Sequence, residues 1–235
     1  MRRFAVIATF CCLAVAAVSS GSDDGFVKLF NGKDLTGWKA YLDKGADPAK
    51  TWSISDGVIH CKGQPMGYLL TDKEYGDYVL RLQWRWPGKP GNSGVFLHVS
   101  GPDQIWPKGV EAQLQADQAG DFWLVDGFKL DIPESQHDPR SGRHYLRKGE
   151  TWKKQGAKDA KGNDRFEAVR NPAVEKPLGE WNQYEITCKG DEVRLVINGQ
   201  LVNVGTKAEA TKGRILLQSE GTPIEFRNIE IKSLK

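Results

Sequence analysis

The chain has 235 residues, 39% of them hydrophobic and 27% charged, with a formal charge of +3. That apolar fraction suffices for one sizeable core, and all-β domains reach this length undivided. The near balance of charge excludes nucleic acid as the main partner, because neutralising phosphates needs a basic surface.

Arg2 and Arg3 precede the apolar run from Phe4 to Val18, and small residues follow in "AAVSSGS". This is the pattern of a signal peptide over residues 1–20, cut near Ser19 to Gly21, and it predicts a secreted or periplasmic protein. The run is too short to span a bilayer and no positive stop follows it, so no membrane attachment is expected after cleavage. Lipidation at Cys11 or Cys12 fits less well, since Phe10 and Cys11 are bulky for the position before a lipidated cysteine. Cleavage would lower the formal charge from +3 to +1. Two cysteines remain, Cys61 and Cys188, and one disulfide or two buried thiols fit their apolar contexts equally.

Residues 26–235 read as one domain of short strands. "FVKLFNG" ends in Asn31-Gly32, "WSISDGVIHCKG" pivots on Asp56-Gly57 and "RLVINGQLVNV" on Asn198-Gly199, which are strong hairpin signals. Between and after them come "DYVLRLQWRW", "GVFLHVS", "GVEAQLQ", "DFWLVD", "WNQYEITCKG", "RILLQS" and "IEFRNIEIKSL". No long segment carries a helical period. The pattern predicts an all-β sandwich or jelly roll, with "FVKLFNG" and "IEFRNIEIKSL" adjacent in one sheet. The exception is the stretch 131–177, which is polar, rich in Lys and Arg, and poor in strand pattern. Excursions this long are usually either functional or disordered, and the plain reading is a solvated excursion on the rim of the sandwich. The functional reading places it along the rim of a binding face, with His137, Arg143 or Trp152 over the site.

Strand side chains alternate between faces. In "RLQWRW" the residues Gln83 and Arg85 oppose Leu82, Trp84 and Trp86; in "VFLHV" Phe96 and His98 oppose Val95, Leu97 and Val99. In "VEAQLQ" Glu111, Gln113 and Gln115 oppose Val110, Ala112 and Leu114. A half-wet antiparallel sheet explains such alternation by itself. The residue types point further: Gln, Arg and His beside aromatics are the equipment for polyhydroxylated ligands, with Trp106 and Trp123 as platforms for a sugar ring. Trp84, Trp86 and Trp181 are expected in the core. Asn92 and Ser93, in the "GNSG" turn, are further candidates for the pocket.

The segments "LFNGKDLTGWKA", "WSISDGVIHCKG", "YLLTDKEYGDYVLRLQWRW", "GNSGVFLH", "GVEAQLQ", "GEWNQYEITCKG", "VINGQLVN" and "GRILLQSEGTPIEFRNIEIKSL" occur in this order. Over nearly the whole mature chain this resembles the secreted bacterial domain family named for 3-keto-disaccharide hydrolase. The resemblance implies a concanavalin A-like β-sandwich of two antiparallel sheets, with a carbohydrate site on the concave one. The expected partner is then a disaccharide or glycan, including its 3-keto form.

An ordinary glycosidase needs two carboxyls flanking the bond, and lectin-like glucanases on this fold carry theirs alternately along one strand. Here two of the three positions at Glu111, Gln113 and Gln115 are amides, so the usual pair is missing from this strand. A 3-keto sugar needs less. Its ketone acidifies the C2 proton, so one base can expel the C1 substituent and water can then add, given donors for the C3 oxygen. Glu111 is the candidate base, with His98 and Arg85 as catalytic partners. Gln83, Asn92, Ser93, Trp106, Gln113, Gln115 and Trp123 are the candidate substrate contacts. No cofactor or metal is expected: His137 and His144 match no compact zinc spacing, and no phosphate loop or nucleotide fingerprint occurs. The alternative is a non-catalytic, lectin-like carbohydrate-binding module using the same face, or a scaffold whose concave face binds protein.

Overall fold

The computed structural model describes residues 24–235, so the expected signal peptide lies outside the described residues. Among the described residues, seventeen strands, numbered in chain order, form two large antiparallel sheets and one separate hairpin. The first sheet runs β15 (Gln200–Gly205), β14 (Glu192–Ile197), β13 (Asn182–Lys189), β6 (Tyr78–Arg85), β17 (Ile224–Ser233), β4 (Val58–Cys61) and β3 (Trp52–Ser55). The short β1 (Val27–Lys28) also pairs with β17, placing Val27 opposite Ile231, so the two ends of the domain share a ladder as expected. The second sheet runs β10 (His144–Tyr145), β9 (Phe122–Val125), β8 (Lys108–Gln113), β7 (Gly94–Ser100), β16 (Arg214–Ser219), β5 (Gly67–Thr71) and β2 (Trp38–Leu42). The hairpin β11 (Thr151–Lys158) and β12 (Asp164–Val169) stands apart and is largely exposed on both faces.

The apolar sets of both sheets meet in one core. Leu80, Leu82 and Trp84 of β6 face Val95 and Leu97 of β7 and Val110 and Ala112 of β8 there. This geometry corrects one sequence expectation. β6 lies in the first sheet, between β13 and β17, while β7 and β8 pair in the second. With all their apolar faces turned inward, the polar faces of β6 and β8 must point to opposite sides of the molecule. Gln83 and Arg85 are therefore not beside Glu111. Trp84 and Trp86 are buried as expected, but Trp181 lies half-buried on the outer face of the first sheet, between the guanidiniums of Arg85 and Arg227.

His98 is the second correction. The register of β7 shifts against both neighbours around this residue, and its φ is 54°, so it forms a β-bulge. The extra residue turns His98 inward, where its ring stacks on Phe128 at 6.4 Å and approaches Tyr78, while Val99 takes the outer face. Gly213 permits this fold-over, since a Cβ there would lie 2.4 Å from the His98 carbonyl carbon. Neither ring nitrogen has a hydrogen-bond partner, and burial pushes the imidazole down to about 4.

A buried neutral histidine has a consequence for acid stability. The unfolded chain takes up a proton near the ordinary value of 6.5, and the folded chain only near 4. Stability from this group is therefore complete above pH 6.5 and falls as pH drops towards 4, by about 3 kcal/mol in all. Urea unfolding between pH 7 and pH 4 should show that slope. In His98→Leu the slope should shrink by that amount, whatever the variant's absolute stability.

Cys61 and Cys188 are both buried free thiols, pushed up to about 11 and about 12 by desolvation. The stretch 131–177 is not a solvated excursion throughout. Gln136 bonds the Leu146 carbonyl and Asn203, and Asn203 in turn bonds the carbonyls of Gly120 and Leu146. These bonds pin the first half of the segment onto β15, the edge strand of the first sheet.

Candidate active site

The outer face of the second sheet carries a pocket of about 520 Å³. Six sequence candidates line it: Asn92, Trp106, Glu111, Gln113, Gln115 and Trp123. Arg143, from the long segment, Gln104, Asp126 and Glu220 are among the other residues of its walls. Ser93 is buried beneath it, its hydroxyl donating to the Gln218 carbonyl at 2.8 Å. His98 is in the core. Arg85 and Gln83 belong to the far side of the sandwich, where Arg85 bonds Glu225 and Gln83 bonds Gln183, Arg227 and Asn228.

Glu111 reaches the pocket because β8 alternates and because β7 opens with a glycine. A Cβ on Gly94 would lie 2.3 Å from Glu111 Oε1 and under 3 Å from two further atoms of that side chain. The carboxyl thus lies over the Gly94 backbone. It is 6% exposed, and its Oε1 has no hydrogen-bond partner in the protein. Burial, with a smaller push from the Glu220 charge, holds its pKa well above the usual carboxylate range. Burial therefore favours the protonated, neutral form of this group. Gly94→Ala should displace the carboxyl and cost about a hundredfold in turnover with the fold kept, as a misplacement on the ångström scale does. Steady-state rates beside a thermal melt would check it.

Glu220 is the residue that sequence reasoning missed. It follows β16 in "SEGTP", which reads as a surface turn, yet it continues the outward alternation Leu216, Gln218, Glu220. Backbone pairing of Asn92 with Glu220 brings it to the mouth of β7, and Asn92 Nδ2 donates to its Oε2 at 2.7 Å. Its pKa is also raised by burial, but hydrogen bonds from Trp106 and Asn92 favour the ionised form. Glu111 and Glu220 therefore share one pocket with unlike surroundings, and Asp126, which accepts a hydrogen bond from Gln104, is a third carboxyl in its lining.

The walls are set to receive polar atoms. Asn92 Oδ1 and Trp123 Nε1 are buried without a protein partner, like Glu111 Oε1. Gln113 turns its Oε1 back onto the backbone of Leu114 and Gln115, which leaves its amide nitrogen as the end a ligand would meet. Trp106 stands 48% exposed at the rim. Trp123 is fixed from behind: its indole stacks on His144 at 4.4 Å and 7°. His144 Nε2 is 2.7 Å from Asp121 Oδ2, and Trp152 packs edge-on against the ring. Of the three rim candidates in the long segment, Arg143 lines the pocket and Trp152 supports it one layer back. His137 instead bonds the Ile132 carbonyl and packs on Tyr145.

A two-sheet antiparallel sandwich of this strand order, with a carboxyl-bearing, tryptophan-walled pocket on one outer face, is a jelly roll of the concanavalin A-like class. Residues 25–232 match the family described as the 3-keto-alpha-glucoside-1,2-lyase-like domain, and the chain belongs to that family. It is 27% identical to a 3-keto-disaccharide hydrolase of Bacteroides thetaiotaomicron, over 90% of this chain and 79% of that one. The solved structure of a "putative glycosyl hydrolase" from Parabacteroides distasonis superposes with a TM-score of 0.60 at 27% identity, covering 90% of this chain and 94% of that one. The carbohydrate-binding module CBM66 of Bacillus subtilis, 11% identical with a TM-score of 0.55 over 84% of this chain and 96% of its own, shares the fold.

Proposed function

We propose that the protein cleaves the glycosidic bond of 3-keto-glycosides by elimination at the Glu111–Glu220 pocket, followed by addition of water. The observation that carries this reading is the unlike pair of carboxyls, one whose neutral form is favoured by burial and one whose burial is opposed by hydrogen bonds. Paired groups whose environments differ in this way take the acid and base roles respectively. In this reading Glu111 serves as the acid, where the sequence suggested a base, because burial favours its protonated form. Glu220 takes the proton from C2, which the neighbouring ketone acidifies. The electron pair left at C2 forms the C1=C2 double bond as the C1–oxygen bond breaks, and Glu111 gives its proton to the departing oxygen. Trp123 Nε1 and the Gln113 amide are the donors available for charge developing on the C3 oxygen. Water then adds across the double bond, so the net change is hydrolysis.

The names of the relatives support a keto-sugar substrate, and the signal-like sequence around Arg2, Arg3 and Phe4 to Val18 supports an exported protein acting on glycans outside the cytoplasm. The test is incubation of purified protein with a disaccharide and its 3-keto derivative, with products identified by mass. Only the keto form should be cleaved. Equal cleavage of both would remove the elimination route, and binding without cleavage of either would leave a lectin-like module.

A further inference from the structure

On the opposite side of the molecule, the outer face of the first sheet holds a cluster that the glycosidic site does not use. The hairpin β3–β4 presents Ser55 and His60 outward, and β17 lays Glu225 beside His60 in register. Ser55 Oγ is 2.9 Å from His60 Nε2, and His60 Nδ1 is 3.0 Å from Glu225 Oε1. Both ring nitrogens are thus engaged in the order that activates a hydroxyl: nucleophile on one, carboxylate on the other. The second carboxylate oxygen of Glu225 is bonded by Arg85, which holds the group in place. Ser55 is exposed, whereas the side chain of Glu225 is only 11% exposed, so the reactive end faces solvent and the orienting end does not. An open trough of about 370 Å³ adjoins the cluster, walled by Pro87 and Pro223, and Lys62 is the basic side chain lining it.

We propose that Ser55, His60 and Glu225 form a second, nucleophilic site that accepts small acyl esters. Ser55 Oγ attacks the ester carbonyl while its proton passes to His60 Nε2, and Lys62 faces the oxyanion. Collapse expels the alkoxide, which takes the proton from His60. Water, deprotonated by the same nitrogen, then releases the carboxylic acid and restores Ser55. Glu225 fixes the imidazole tautomer that keeps Nε2 free to accept.

A fluorophosphonate tests this without knowledge of the natural ester, since attack by Oγ displaces fluoride and leaves a stable phosphonyl-serine. Peptide mass mapping of the wild-type protein should place one adduct on Ser55. The labelling rate should fall at least tenfold in His60→Ala, and Glu111→Gln should label as the wild type does. p-Nitrophenyl acetate hydrolysis should be lost in Ser55→Ala, while cleavage at the glycosidic pocket is unchanged. No adduct on Ser55 of the wild type, or an adduct formed as fast in His60→Ala, would overturn the proposal and reduce the cluster to a surface hydrogen-bond ladder.

Discussion

Glu111→Gln is expected to lower turnover of a 3-keto-glycoside by about a thousandfold, the usual scale for removing a positioned proton donor, and to raise the protein's stability at neutral pH. The amide keeps the shape of the side chain and its place over Gly94, so substrate affinity should change little. What it lacks is the proton for the departing oxygen. The stability gain follows from the same burial. Folded, Glu111 holds its proton well above the ordinary value of 4.5. Its contribution to stability is therefore complete below that value and is lost as pH rises towards the folded pKa. The glutamine has no such loss. Thermal melts of the two proteins should nearly coincide at low pH and separate increasingly above about 4.5, the variant being the more stable. A variant that is both inactive and stabilised is the signature of a strained functional group; one that is inactive and destabilised would mean that Glu111 holds the sheet together instead.

The largest stability effect is expected behind the pocket wall. Asp121 and Glu150 have fully buried side chains, and they share two arginines. Arg170 bonds both oxygens of Asp121, at 2.9 and 2.7 Å, and Glu150 Oε2 at 3.1 Å. Arg147 bonds the other oxygen of Glu150, and its backbone N–H donates to Asp121. Arg170→Ala would leave two buried carboxylates with one guanidinium, which costs about 3–5 kcal/mol when one partner of a buried pair is removed. Arg170→Lys should recover only part of it, since an ammonium cannot span both carboxylates as the planar fork does. Urea unfolding measures both. A loss below about 1 kcal/mol for the alanine variant would show that the cluster is hydrated and screened rather than structural. Because Asp121 also holds His144, and His144 backs Trp123, the same variant should weaken substrate binding more than it slows turnover.

Much of this fold is written in local alternation, and much of the site is not. The strands β6, β8, β13 and β17 stand out because one face of each is apolar and the other polar. β5 does not, because Tyr68 and Leu70 lie under a second apolar cluster on the outer face, so all five of its residues are buried and no alternation shows. Alternation also says nothing about which sheet a strand joins. For that reason Arg85 and Gln83 looked like neighbours of Glu111 while lying on the other side of the core. A bulge adds one residue without a sequence mark of its own. Only the packing of Gly213 against His98 shows why that imidazole turns inward. Glu220 was within reach, since it extends the period of β16 by one step past the strand's end. The charged stretch 131–177 was not, because Arg147, Glu150 and Arg170 have the composition of a wet loop and yet satisfy one another inside the protein.

Elimination requires a proton to leave C2, and its fate is measurable. A 3-keto-disaccharide carrying hydrogen at C2 is cleaved in D₂O, and the released keto-sugar is read by proton NMR against an enzyme-free control for spontaneous exchange. Elimination and rehydration predict that the sugar released by the wild-type protein carries deuterium at C2 from the first turnover, and that Glu220→Gln releases none. Cleavage at the wild-type rate with the C2 hydrogen retained would contradict the mechanism and return the pocket to direct displacement at C1.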